Sequence, residues 1–247
     1  MVNVAVQQAT APARLGLAQE LLNILTLFQD PGRAFRSIAG APRYFVPLVL
    51  LAALSVGMDA LGRMVVPSDV RLAARIAQAQ SFGIAASSQD TPLLVELGVV
   101  ALFSILAVMA ASLVFWFAFR VGGERLKYKP VLATCSYAML PPALIWTLMA
   151  GAILLIADPN NIDPQRLDDL VPSNIGALFH SVALSPFFES VLSSFDAFSV
   201  WIMALTVVGM GVWGVSRRKA SWTVGLVWWL YVMGKGAVLT VMASLAQ

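Results

Sequence analysis

A predominantly apolar run from Pro130 to Ala157, PVLATCSYAMLPPALIWTLMAGAILLIA, limits what this chain can fold into. Hydrocarbon about 30 Å thick is crossed by roughly 20 apolar helical residues, and a soluble core helix has no use for a longer stretch. Composition extends the argument to the whole chain. Of 247 residues, 59% are hydrophobic and 12% charged. That is half the charge of a globular protein, about 25%, and too little to solvate a globule. The net charge of +3 does not point to nucleic acid, because the basic residues sit in short clusters between apolar runs, where they set topology. Cys135 is the single cysteine and His180 the single histidine, which excludes an intrachain disulfide and a multi-histidine metal site. No cofactor motif is expected, and residues 1–13 lack the basic and apolar regions of a signal peptide.

Read in order, residues 1–13 are a disordered tail and 14–40 an amphipathic segment. Leu15, Leu22, Leu25 and Phe28 share a face, and Asp30-Pro31-Gly32 breaks the helix before Arg33, Phe35, Arg36 and Ile38. Two placements suit this pattern: in the plane of the membrane interface, or packed on the ends of the bundle. Residues 41–247 carry five expected spans, at about 44–62, 92–119, 130–157, 195–215 and 222–245. A weak amphipathic helix is expected over 70–84. The stretch 171–195 is too interrupted to span and reads as re-entrant or surface-lying. The expected class is therefore an all-α, polytopic membrane protein, a bundle of five transmembrane helices with interfacial amphipathic helices.

Orientation follows from the basic residues. Arg14, Arg33, Arg36, Arg43, Arg120, Arg125, Lys127, Lys129, Arg217, Arg218 and Lys219 give eleven on one face, against Arg63, Arg71, Arg75 and Arg166 on the other. The positive-inside rule puts the N-terminus in the cytoplasm and the C-terminus outside, in a cell inner (plasma) membrane. Trp213 and Trp222 bracket the last basic turn as interfacial indoles.

Three ionisable residues fall within apolar runs: Asp59, Glu96 and Lys235. The topology brings all three to the outer part of the membrane. There they are either an intramembrane polar site or a set of headgroup-reaching and snorkelling side chains. Pro141-Pro142 removes two amide donors and frees carbonyls near Tyr137 and Ala138. Functionally that reads as a kinked pocket wall with Tyr137, Ser136 and Cys135, and structurally as a fixed bend. Gly209-Met-Gly211-Val-Trp-Gly214 satisfies GxGxxG but follows no strand, so close helix packing explains it better than a dinucleotide. Asp158, Asp163, Asp168 and Asp169 read as a solvated acidic loop rather than a cation site. Serine, cysteine and histidine never combine into a catalytic set, so no enzyme is expected.

Three motifs add a resemblance. They are Pro31-Gly-Arg-Ala-Phe35, Ser136-Tyr137 followed by Pro141, and Phe195-Asp196-Ala-Phe198-x-x-Trp201 leading to Gly214-Val-Ser-Arg-Arg-Lys-Ala220. With five spans, the chain over about 20–244 resembles the Yip domain family of Ypt/Rab-interacting multispanning membrane proteins, which has many bacterial members. The resemblance implies a non-enzymatic, N-in membrane protein that organises membranes or partners. The acidic Leu-Tyr-Gly-Pro arm of the family is replaced here by Ala41-Pro-Arg-Tyr-Phe-Val-Pro47, so small-GTPase binding is not carried over. Expected partners are membrane lipids, a second copy of the chain or another membrane protein. The alternative is a transporter of a small solute, ion or lipid with its site at Asp59, Glu96 and Lys235.

Overall fold

The computed structural model describes residues 16–81, 92–158, 170–176 and 185–245. The tail at 1–13, His180, Asp163, Arg166, Asp168, Asp169 and the middle of the 171–195 stretch lie outside them. Within the described residues the chain forms nine helices and no strand. These are α1 (Leu17–Gln29), α2 (Pro31–Gly40), α3 (Phe45–Val65), α4 (Ser68–Ser81), α5 (Leu93–Val121), α6 (Tyr128–Ile156), α7 (Pro186–Ser194), α8 (Ala197–Val212) and α9 (Arg217–Leu245).

Local chemistry sets the boundaries. The Asp30 carboxylate accepts the Arg33 N–H at 2.9 Å while Pro31 occupies the first turn of α2, which satisfies one orphan donor and removes another. Asp196 does the same for α8, accepting from the Ser199 N–H at 2.9 Å. At the other ends, Gly123 (φ 87°) and Gly214 (φ 90°) adopt left-handed backbone. Glu124 N–H then returns to Phe119 C=O at 2.9 Å, and Val215 N–H to Met210 C=O at 3.3 Å. Both are Schellman closures, and they turn α5 towards α6 and α8 towards α9 in a few residues.

Four helices, α3, α5, α6 and α9, are long and apolar enough to cross a membrane. The expected fourth span, 195–215, falls on a helix shorter than these four. Its helix, α8, has 16 residues, a rise of about 24 Å against the roughly 30 Å of hydrocarbon. The Asp196 cap and the Gly214 turn fix both its ends, so the apolar pattern outruns the helix. α9 starts at Arg217, five residues before its expected boundary.

α6 is the centre of the bundle. It packs on α3, α5 and α8, and Val131 to Ala138 are all buried. The helix continues through Pro141 and Pro142, both buried, so the pair lies inside protein rather than in lipid. Association of helices in hydrocarbon rests on close van der Waals contact rather than on a hydrophobic drive, and small residues permit it. Gly209 is such a place: a Cβ there would overlap the Thr134 methyl and come within 3.0 Å of the Phe35 ring. Gly236 leaves room for the Phe187 ring of α7, which packs along α9.

α2 packs on the bundle. Ala34, Phe35 and Ile38 are buried in the main core with Leu48, Leu51, Tyr137, Ala138 and Leu205. α1 is two-faced. Glu20, Asn23, Ile24 and Leu27 turn inward, and Leu17, Leu21, Leu22, Leu25 and Phe28 are exposed.

Candidate functional site

The two acids of the apolar runs meet on Arg63, one of the basic residues that set orientation. Asp59 and Arg63 are one helical turn apart on α3, on the same face, and Arg63 Nε reaches Asp59 Oδ2 at 2.7 Å. From the first turn of α5, Glu96 Oε1 takes Arg63 Nη2. Side-chain exposures are 15% for Arg63, 31% for Asp59 and 24% for Glu96. The cluster is therefore half-buried and ties α3 to α5, with Arg63 between two acids. The i,i+4 spacing of Asp59 and Arg63 was the signal in the sequence.

Lys235 does not join it. It is exposed on α9, which packs on α5, α7 and α8, and it makes no ion pair with Asp59 or Glu96. Tyr137 and Pro141 are not part of the cluster either. Tyr137 is buried in the main core among Phe35, Leu48 and Leu140, Ser136 donates to the Ala133 C=O at 3.1 Å, and Cys135 packs with Phe119, Val131 and Met210. The five residues of the expected site thus belong to three places. A packed wall stands where a pocket wall was one reading of Pro141-Pro142.

A second polar cluster, unforeseen, lies under α1. Glu20 and Asn23 are 4% and 3% exposed. Arg43 Nη1 reaches Glu20 Oε1 at 3.0 Å, and Gln19 Nε2 donates to Asn23 Oδ1 at 3.3 Å. The periodic set Glu20, Asn23, Ile24, Leu27 marks this inward face, but its polar members disguised it as the wet one.

The basic residues form one end of the molecule. Arg33, Arg36, Arg120, Lys127, Arg217, Arg218 and Lys219 are all exposed. Lys219 Nζ pairs with Glu124 Oε1 at 2.8 Å, which holds the α8–α9 turn against the α5–α6 turn. Arg120 stacks its guanidinium 5.3 Å from the Trp116 ring, and Trp213 Nε1 donates to Thr134 Oγ1 at 3.0 Å. The glycine string separates into different tasks: Gly209 for close approach, Gly214 for the turn, and Gly211 facing open space. Among the described residues no group of three or more His, Cys, Asp or Glu is placed to hold a metal ion.

A helical chain with four long apolar helices, a buried proline-bearing central helix and one basic end is a multi-pass membrane protein. It belongs to the Yip1 domain family, whose model matches residues 25–238. The membrane protein YknW of Bacillus subtilis (strain 168) is 24% identical over 212 residues, covering 84% of this chain and 85% of that protein. No solved structure matches the chain.

Proposed function

We propose that this chain is a non-enzymatic organiser of the membrane, acting through lipids, a second copy or a membrane-protein partner. The observation that carries this reading is the placement of α1. Its leucine face is exposed while the Glu20–Arg43 pair and packing on α2 and α6 fasten it to the bundle. A helix held rigidly with its apolar face outward is a contact surface for lipid or protein. The charges at depth also fit: Asp59, Arg63 and Glu96 satisfy one another, as in a structural clamp.

α8 is the fourth of five crossings in this proposal. α2 packs on it, α6 and α9 flank it, and Phe195 and Trp213–Val215 lengthen its apolar stretch. Five crossings with the basic end inside put the N-terminus in the cytoplasm and the C-terminus outside, in the plasma membrane. A reporter that is active only in the cytoplasm should work at the N-terminus and fail at the C-terminus. Activity at both ends would remove α8 from the count.

Native mass spectrometry on protein extracted gently from its own membrane tests the function. A self-assembled oligomer or a stoichiometric protein partner is expected. A retained metabolite that disappears in Lys235→Met or Arg63→Met would replace this reading with transport.

A further inference from the structure

We infer that the groove between α2, the end of α8 and the first residue of α9 binds one anionic glycerophospholipid. The groove is open along one side and offers about 520 Å³, within the range of about 300–1,000 Å³ typical of small-molecule sites. Arg36 of α2 and Arg217 of α9 stand on it, and Val208, Gly211, Val212 and Val215 line it. Its two halves have different chemistry, as a phospholipid does.

Arginines dominate the polar half, and the Asp30 carboxylate at its Gly32 edge already accepts the Arg33 N–H. Arg36 and Arg217 are exposed, and neither pairs with an acid among the described residues. The guanidinium fork matches the two free oxygens of a phosphodiester, and two such forks from different elements favour an anionic over a zwitterionic headgroup. The adjacent groove between the α5–α6 turn and α9 also carries cations, Arg218 and Lys219, but Glu124 lies in it and neutralises Lys219. The Arg36 groove has no such acid in its lining.

The apolar half excludes free phosphate as the intended occupant, because valine walls contribute nothing to a hydrated anion. They run along α8 from the basic end towards the middle of the bundle, the direction in which an acyl chain leaves its headgroup. Gly211 opens the wall further: a Cβ there would meet nothing within 4 Å. Trp222, exposed at the start of α9, sets the groove at headgroup depth, the level of interfacial indoles. The inference stands whether or not the chain is a scaffold. It takes from the proposed orientation only the identity of the leaflet, which the terminal reporters test separately.

The test uses the full-length protein, delipidated in detergent and titrated with phosphatidylglycerol or with phosphatidylcholine of the same acyl chains, read by native mass spectrometry. One phosphatidylglycerol should be retained at least about tenfold more tightly than phosphatidylcholine. Arg36→Gln with Arg217→Gln should abolish that preference. Gly211→Leu, which places a side chain in the open notch, should lower retention of both lipids about tenfold or more while circular dichroism stays unchanged. Millimolar inorganic phosphate should leave the bound lipid in place. Equal retention of the two lipids, unchanged phosphatidylglycerol binding in either folded variant, or displacement by phosphate alone would each overturn the site.

Discussion

At the scale of single residues, Arg63 has the largest consequence. It bridges Asp59 and Glu96, so Arg63→Met removes the cation that two partly buried acids share. A cost of about 1–3 kcal/mol is expected, between that of an exposed pair and that of a buried one. Thermal unfolding in detergent should show a clear drop for Arg63→Met and a smaller one for Arg63→Lys, which keeps the charge and loses the fork. Gly209→Val should cost about 1–3 kcal/mol by overpacking against Thr134 and Phe35, and the same melts measure it. The two acids were legible in the sequence as charges in apolar runs. Their partner was not, because a span-flanking arginine reads as a topology signal and only the fold brings α5 across to α3. Lys235 looked like the natural counter-ion by depth along its helix, but depth says nothing about which face of α9 it occupies.

At the scale of elements, α1 shows where periodicity is ambiguous. The stripe of leucines was plain in the sequence, and a stripe ordinarily faces the core. In a membrane protein the outside can be as apolar as the inside, so the stripe alone leaves the direction open. Arg43 decides it by pairing with Glu20, a contact 23 residues away in sequence. An environment-sensitive probe on Leu25→Cys should be quenched several-fold more strongly by brominated acyl chains than the same probe on Arg33→Cys. Equal quenching would mean that the leucine face is covered by protein instead. The long helices α3, α5, α6 and α9 were readable to within a few residues at most ends, since length and apolarity are local properties. α8 was readable to the same margin, and the Asp196 cap and the Gly214 turn account for the two or three residues by which it is shorter than its apolar pattern.

At the scale of the molecule, the bundle is built around a helix whose polar and reactive groups are sealed. Cys135 is fully packed among Phe119, Val131 and Met210, so a maleimide should leave the folded protein unlabelled. Labelling should rise only with unfolding, since access limits thiol chemistry. The single thiol then reports global opening of the core without any engineered residue, and labelling under native conditions would show that α6 breathes. The same organisation bears on how the chain is made. A 16-residue helix has little to hold it in a bilayer by itself, and the Gly214 turn ties it to the 29-residue α9. During biogenesis the two should leave the insertion machinery as one hairpin, with α9 as anchor and α8 as passenger. A polypeptide that stops at Val215 would therefore be handed to quality control, however well α3, α5 and α6 had assembled.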